Sequence, residues 1–417
     1  MKVPWWTPIE PCEPDVAVVI VVVLVLWVSW SLERGARGAA APTGQRRPEG
    51  KLGLRWGTPW RVPGSRLRIR LSPYRQIPLN DEHSLLVVGP TRSGKTSRVV
   101  LPNLCAFVGS LVATSVKADL LTPEVIAACE HRGKIVIIGD RLRATHRWDP
   151  VCEALSERES MAMARALVLA QPTLAVTSGD TQFWYQLAEP IIAAALRASA
   201  LTGAAMLTWI DDLGELYRSL KGHGDYLLAD SVLAVGALEG RQRDSVLLTA
   251  RGLLQPFVQV ERALAPIRVS ELLDGPPSST FLIASTAEQE LCSVLFALFL
   301  SRVVAVGLER RRERPLLLCL DELANLAPIP NLDRLAAVGV GQGVRLISIV
   351  QDLAQLEYRY GRAANSIINN HASKLFMSAT ADPVTRAYLR DISPEAIGAR
   401  GPLLLEGSRS MSRLRIS

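Results

Sequence analysis

Short apolar runs bounded by turn-forming residues recur along most of the chain, and each is typical of a buried β-strand. Helical stretches separate successive runs. This alternation predicts an α/β fold with a mostly parallel sheet. The predicted strands are Ser84–Val88, Leu111–Ser115, Ile135–Ile138, Thr280–Ser285, Leu316–Leu320, Arg345–Val350 and Lys374–Ser378.

The hydrophobic period changes between residues 152 and 266. Ala- and Leu-rich segments with helical spacing replace the β-branched runs there, which predicts an all-α domain inserted into the sheet domain. The sheet domain is then expected over residues 66–151 and 267–392, with a C-terminal tail over 393–417. The predicted helical segments are Ser160–Leu169, Gln186–Leu201, Asp225–Ala237 and Asp244–Glu261.

One apolar run, residues 16–32, is too long for a strand. As a helix it spans about 26 Å, enough to cross the hydrocarbon core of a membrane. A cleaved signal peptide is the alternative, but here the acidic flank precedes the run and the basic flank follows it, the reverse of a signal peptide. The positive-inside rule predicts a single-pass membrane protein, with residues 1–15 outside and the rest in the cytoplasm.

The net charge of +7 is concentrated in one stretch. Residues 34–75 hold eleven Arg or Lys against one acid, Glu49, so the predicted basic linker over 33–65 is expected to contact anionic lipid. The overall basic balance therefore does not by itself indicate DNA binding. The six cysteines include no C-x-x-C pair, which argues against a zinc knuckle or a disulfide framework.

A glycine-rich segment directly follows the first predicted strand and matches G-x-x-x-x-G-K-[ST]. Backbone N–H groups of such a loop and of the helix that follows surround phosphate oxygens. Lys95 is expected to reach the β- and γ-phosphates, and the Thr96 hydroxyl to bind Mg²⁺. The sequence thus predicts a site for ATP and Mg²⁺ formed by Gly89, Pro90, Thr91, Arg92, Ser93, Gly94, Lys95, Thr96 and Ser97.

Polar residues follow two other predicted strands. Asp321 and Glu322 come directly after Leu316–Leu320. Asp321 is expected to hold Mg²⁺ and Glu322 to orient or deprotonate the attacking water; the alternative is that both only cap the next helix. Gln351 follows Arg345–Val350 and could sense the γ-phosphate or position water, or could cap a predicted helix over Asp352–Tyr358.

Several motifs in order resemble those of the coupling proteins of conjugative type IV secretion systems. A P-loop alone is generic, but L-D-E-x-A-N followed by I-P-x-L and Q-D-L-x-Q-L is specific. The motifs are Gly89–Thr96 (GPTRSGKT), Ser115–Leu120 (SVKADL), Trp148–Pro150 (WDP), Phe183-Trp184, Leu320–Asn325 (LDELAN), Ile329–Leu332 (IPNL), Gln342-Gly343 and Gln351–Leu356 (QDLAQL).

The resemblance implies a RecA-like P-loop ATPase domain that carries the all-α domain and forms a homo-hexamer. It also implies anchoring in the bacterial inner membrane and the following partners: single-stranded DNA, relaxase or secreted protein substrates, secretion-channel ATPases and inner-membrane components. By residue, it assigns P-loop roles to Gly89, Gly94, Lys95 and Thr96, and catalytic roles to Lys95, Asp321, Glu322 and Gln351.

Three departures from the family pattern keep alternatives open. Many members have two anchoring helices, many have an arginine where this sequence has Val340, and many continue beyond the position of Ser417. Arg345, Arg362 and Arg92 are candidates for a cation acting on a neighbouring subunit. A nucleotide-binding scaffold that does not translocate is the main alternative, and a chromosome-segregation DNA translocase, which needs a further DNA-reading domain, is a weaker one.

Overall fold

The computed structural model describes residues 53–56, 75–78, 83–140, 142–171, 179–258, 264–285, 288–309, 314–377, 381–392, 402–406 and 410–413. All of them lie in one compact unit, Pro48–Ser417. The predicted membrane helix over residues 16–32 and the extracytoplasmic segment before it lie outside the described residues.

Thirteen strands are described, and every predicted strand is present with its ends shifted by no more than two residues. The strands are β1 (Gly53–Trp56), β2 (Arg75–Pro78), β3 (Leu85–Val88), β4 (Ser110–Ser115), β5 (Lys134–Ile138), β6 (His146–Arg147), β7 (Ala265–Pro266), β8 (Ser278–Ile283), β9 (Leu316–Leu320), β10 (Val344–Val350), β11 (Ser373–Phe376), β12 (Leu403–Glu406) and β13 (Ser410–Arg413).

Nine of these strands form one sheet in the order β13-β12-β11-β3-β10-β9-β4-β8-β5. The seven strands from β11 to β5 run parallel to one another, whereas β12 and β13 join the edge in antiparallel fashion. The prediction of a mostly parallel sheet is confirmed. Because β3 pairs with β10 and β10 pairs with β9, the carboxyl ends of these three strands are neighbours at one edge.

Fifteen α-helices connect or follow the described strands. They are α1 (Leu101–Ala106), α2 (Pro123–Arg132), α3 (Glu157–Leu169), α4 (Gly179–Thr202), α5 (Met206–Asp211), α6 (Leu213–Gly222), α7 (Tyr226–Gly236), α8 (Gly240–Val258), α9 (Val269–Leu273), α10 (Gln289–Glu309), α11 (Leu323–Leu326), α12 (Leu332–Val338), α13 (Leu353–Tyr360), α14 (Ala363–Asn370) and α15 (Pro383–Ile392).

Helices α3 to α8 fall within the region predicted to be all-α, and they pack against one another. Their apolar side chains join those on one face of the sheet in a single buried cluster, while a second cluster covers the other face. The helical region therefore shares a core with the sheet, and its separation as a domain over residues 152–266 stays a prediction.

Helix α10 is the one described helix that is long and apolar enough to cross a membrane. Its window Cys292–Glu309 has a mean hydropathy of 1.9, and half of that window is buried inside the protein. Phe296 and Phe299, both on this helix, belong to the core shared by the sheet and the helices. These contacts are those of a core helix in a globular domain.

Three short antiparallel pairings differ from the sequence prediction. Strand β1 lies within the predicted linker 33–65 and pairs with β2, and strands β12 and β13 lie within the predicted tail 393–417. Each of these strands has only four residues. Four residues flanked by Gly, Pro and Arg are too few to show the apolar pattern from which a strand is predicted.

Candidate nucleotide-binding site

The predicted site residues converge at the carboxyl edge of the parallel sheet. The glycine-rich loop follows β3, Gln351 follows β10, and Asp321 and Glu322 follow β9. In the sheet β10 lies between β3 and β9, so Gln351 is placed between the loop and the two carboxylates. Ligands of open α/β sheets bind at this edge.

The loop Gly89–Thr96 is shaped by two glycines that no other residue could replace without strain. A Cβ atom on Gly89 would lie 2.8 Å from Cβ of Met377 and 2.8 Å from Oγ of Ser93. Gly94 has a φ of +87°, in the left-handed region that favours glycine. The Gly89 N–H also donates to the Val350 carbonyl at 3.2 Å, which ties the loop to the end of β10.

The remaining loop residues divide between the surface and the interior. Ser93 and Gly94 are partly buried, as is Thr96, and Lys95 is buried. The Ser93 hydroxyl is buried without a hydrogen-bond partner among the described residues. A donor of this kind inside a glycine-rich loop suits a phosphate oxygen. The exposed members are Pro90, Thr91, Arg92 and Ser97.

The helix after the loop starts with a π-helical turn, Thr96–Val100, and continues as α1. The Arg98 N–H donates to the Gly94 carbonyl at 2.9 Å. Side chains of Val99 and Val100 are buried in the sheet core, which fixes the start of the helix against the sheet. The predicted helix after the loop is present, with a wider first turn than an α-helix.

Lys95 is 7% exposed, and its ammonium donates to the carbonyl oxygens of Gly89 and Pro90 within its own loop. Burial lowers the pKa of this ammonium, while the charges of Glu322, Asp321 and Asp352 raise it. The lysine thus lies in the field of three carboxylates, from the ends of two different strands. An anionic phosphate group is the natural partner for such a cation.

Asp321 is also 7% exposed and is fixed by hydrogen bonds on three sides. Its Oδ2 accepts from the Thr96 hydroxyl at 3.1 Å, its Oδ1 from the Glu322 N–H at 3.1 Å, and its carbonyl from the Thr114 hydroxyl at 2.8 Å. Burial, with a further contribution from the charge of Glu322, raises the pKa of Asp321 to about 6. Thr96 and Asp321 thus form the paired hydroxyl and carboxylate expected of a Mg²⁺ site.

Glu322 occupies the left-handed region, with a φ of +53°. Its carboxylate accepts from Nε2 of Gln351, with distances of 3.1 Å to Oε1 and 3.2 Å to Oε2. Asn325 Nδ2 lies 3.4 Å from Oε2. Strained backbone at a site of this kind directs a side chain that regular geometry would not.

The capping alternatives do not fit these contacts. Glu322 precedes α11 but makes no side-chain hydrogen bond to the start of that helix. Helix α13 is capped by Asp352, whose Oδ1 accepts from the Gln355 N–H at 2.9 Å, and not by Gln351. Glu322 and Gln351 are instead held against each other.

Sequence reasoning missed Asn325, Asp352 and Gln355. The spacing Asp-x-x-Gln at the start of a helix is close to a capping box, a signal that could have identified the last two. Arg345 lies at the opposite end of β10 from Gln351. It is 6% exposed, and its Nη1 donates to the Val340 carbonyl at 3.2 Å, so it is not a surface cation available to a neighbouring subunit.

Two family models match the chain. The model described as "Type IV secretory system Conjugative DNA transfer" matches residues 63–210, and "TraM recognition site of TraD and TraG" matches residues 315–397. Together they cover more than half of the chain. Their order along it is that of the motifs named above.

The curated relatives are distant and longer. Protein VirD4 of Agrobacterium fabrum is 24% identical over 343 residues, covering 74% of this chain and 48% of the relative. A conjugal transfer protein TraG of Escherichia coli is 23% identical over 340 residues, covering 71% of this chain and 53% of the relative. This chain therefore spans about half the length of the relatives it matches.

Solved structures show the same fold. The plasmid coupling protein TrwB in complex with ADP and Mg²⁺ has a TM-score of 0.66 and 18% identity, covering 90% of this chain and 97% of that one. TrwB with a non-hydrolysable GTP analogue gives the same TM-score and covers 90% and 96%. The predicted RecA-like α/β fold is thereby confirmed. With two family models matched in order and this fold, the chain belongs to the coupling-protein family of type IV secretion systems.

Proposed function

We propose that this chain is a membrane-anchored ATPase that delivers DNA, or relaxase–DNA and protein substrates, to a type IV secretion channel. The observation that supports it most strongly is the convergence of Lys95, Thr96, Asp321, Glu322 and Gln351 at one sheet edge. Family membership supplies the substrate class and the channel.

Each of these side chains has a distinct task in hydrolysis. Lys95 and the N–H groups of its loop bind the phosphates, and Thr96 and Asp321 hold Mg²⁺. A Mg²⁺ ion held there would supply positive charge to offset the negative charge that develops on the phosphate oxygens during hydrolysis. Glu322 accepts the proton of the attacking water, and Gln351 fixes the direction of the Glu322 carboxylate.

The proposed assembly follows from the same family. We infer a homo-hexamer in the bacterial inner membrane, with the amino terminus outside and the ATPase region in the cytoplasm. Its proposed partners are single-stranded DNA, relaxase or secreted proteins, channel ATPases and inner-membrane components, and anionic lipid at the basic segment 34–75. The TrwB structures with ADP and Mg²⁺ support the choice of ATP and Mg²⁺ as ligands.

One observation favours a second candidate, a nucleotide-binding scaffold that does not translocate. Val340 occupies the position where many family members have an arginine, and the nearby Arg345 is buried in its own subunit. A subunit interface that lacks this cation would hydrolyse ATP slowly, because such cations contribute about 10³- to 10⁵-fold in related enzymes.

ATP binding and hydrolysis by the full-length chain in detergent test the proposal. Lys95→Ala should lose nucleotide affinity, whereas Glu322→Gln should still bind ATP and lose turnover by about 10²-fold or more, because one side chain binds charge and the other accepts a proton. Lys221→Ala and Glu215→Gln, exposed positions on α6, are matched controls. Binding without hydrolysis by the parent chain would favour the scaffold.

A further inference from the structure

The Glu322 carboxylate is held by two amides from different elements. Gln351, at the end of β10, donates to both carboxylate oxygens at 3.1 and 3.2 Å. Asn325, on α11, donates its Nδ2 to Oε2 at 3.4 Å. The backbone of Asn325 also donates to the Glu322 carbonyl at 3.0 Å, so Asn325 contacts both ends of the glutamate.

Gln351 is in turn positioned by Gln355. The Gln351 backbone N–H donates to Oε1 of Gln355 at 3.1 Å, just beyond the last residue of β10. Gln355 is itself anchored, since its N–H donates to Asp352 Oδ1 at the start of α13. The Gln351 side chain that reaches Glu322 therefore starts from a backbone position that the Gln355 oxygen holds.

The chemistry of the partners fixes which amide atom each residue must present. A carboxylate only accepts hydrogen bonds, so Asn325 must present its NH₂ group. A backbone N–H only donates, so Gln355 must present its oxygen. The two residues have opposite requirements: Asn325 must be a donor and Gln355 an acceptor.

Packing does not explain either amide. Asn325 is exposed and Gln355 is partly buried, and both line an open cleft of about 740 Å³ between α10, α11 and α13. Leucine or alanine could occupy either position without filling the core. Their polar groups are instead directed at Glu322 and at the backbone of Gln351.

We propose that Asn325 and Gln355 are positioning residues that hold Glu322 in the orientation needed to activate water. Asn325 acts directly on the carboxylate and Gln355 acts through Gln351. This inference rests on the proposed role of Glu322 in ATP hydrolysis, and it assigns a function to the last residue of L-D-E-L-A-N and to the second glutamine of Q-D-L-A-Q-L.

The same amide-to-acid change at the two positions tests the proposal in the full-length chain. Asn325→Asp removes the donor and should lower kcat roughly 10- to 100-fold with KM for ATP unchanged, because misplacing a reacting group by about 1 Å has such an effect. Gln355→Glu keeps the acceptor and should retain kcat within about threefold. Gln355→Met, similar in length but without the oxygen, should lose kcat as Asn325→Asp does.

A charge control and a second measurement complete the test. Gln289→Glu places a carboxylate on the wall of the same cleft and should leave kcat unchanged. Hydrogen exchange at the Gln351 amide should accelerate in Gln355→Met and stay slow in Gln355→Glu, whether or not the chain hydrolyses ATP. Equal exchange in both variants, or equal kcat for Asn325→Asp and the parent, would overturn the proposal.

If the proposed ATPase function itself is wrong, these measurements give a different result. In that case the parent chain and Glu322→Gln hydrolyse ATP equally slowly, while the exchange measurement still decides whether Gln355 holds Gln351. Loss of kcat in all four variants, Gln289→Glu included, would mean that added charge or lost stability and not orientation controls the rate, and it would reject the proposal.

Discussion

At the residue scale, the candidate site balances one buried cation against three carboxylates. Burial lowers the pKa of Lys95, and the charges of Glu322, Asp321 and Asp352 counteract that shift. Asp321 shows the complementary effect, since burial and the charge of Glu322 raise its pKa to about 6. Lys95 and Asp321 each depend on the charge of the other, so replacing one alone alters the electrostatics of the whole site.

The same scale yields a prediction for the backbone of the loop. Gly89→Ala should lower nucleotide affinity by at least about tenfold, because the new Cβ would lie 2.8 Å from Met377 Cβ and from Ser93 Oγ and would move the loop. Gly341→Ala is the matched control, since a Cβ there meets nothing within 4 Å. Titration with a fluorescent ATP analogue measures both affinities. Equal affinities for the two variants would contradict the assigned loop geometry.

At the element scale, the strands of the parallel sheet and the helices between them were largely predictable, whereas the short edge strands were not. Runs such as Leu316–Leu320 are buried at every position, so their continuous apolar pattern indicated both strand and burial. Strands of four residues at the edges, β12 and β13 among them, carry too little pattern. They exist because a neighbouring strand offers unpaired backbone groups, which is a tertiary effect.

The residues of the candidate site divide in the same way, into those that sequence motifs predict and those that they do not. Lys95, Thr96, Asp321 and Glu322 follow strands in recognisable motifs, so parallel pairing was enough to bring them together. The contacts of Asn325 and Gln355 depend on the left-handed backbone at Glu322 and on the start of α13. Neither is encoded in hydrophobic periodicity. The burial of Arg345 could not be predicted either, because an arginine at the start of a predicted strand does not indicate that other residues cover that end of the strand.

A buried ionic cluster joins the helical region to the sheet and gives the element-scale prediction. Glu153 accepts from Trp148 Nε1, from the Val269 N–H and from Arg302 Nε at 2.9 Å, and Arg302 also donates to Glu159 at 2.8 Å. These residues belong to α3, α9, α10 and the turn after β6. They connect the point where the chain leaves the sheet with the point where it returns.

Arg302→Met should lower the free energy of unfolding by about 3 kcal/mol, because it leaves the Glu153 carboxylate buried without its cation. Arg165→Met is the control: its partner Glu189 lies at a similar distance, 3.0 Å, but the Arg165 side chain is 50% exposed. That change should cost less than about 1 kcal/mol. Urea denaturation followed by tryptophan fluorescence compares the two. A loss for Arg302→Met as small as the control would show that the cluster is not stabilising.

At the scale of the whole molecule, the proposed ring would need one subunit to supply a cation to the nucleotide site of its neighbour. Val340 cannot supply charge, and Arg345 is buried in its own subunit. Arg92 in the glycine-rich loop and Arg362 after α13 are both exposed. If neighbouring subunits share sites, these two arginines are the stronger candidates of the three that the sequence suggested.

Mixing two kinds of inactive subunit tests which arginine acts on a neighbouring subunit in the assembled protein. Glu322→Gln subunits keep every arginine but lack the base, and Arg92→Ala or Arg362→Ala subunits keep the base but lack one arginine. A mixture should regain activity above the sum of its parts only for the arginine that acts on a neighbour, because only then does an interface contain both groups. Arg218→Ala, an exposed arginine on α6, should hydrolyse ATP like the parent without mixing. Strong hydrolysis by a demonstrated monomer would reject the hypothesis that neighbouring subunits share sites. If the chain forms a ring on single-stranded DNA and still hydrolyses no ATP, the non-translocating scaffold becomes the better description.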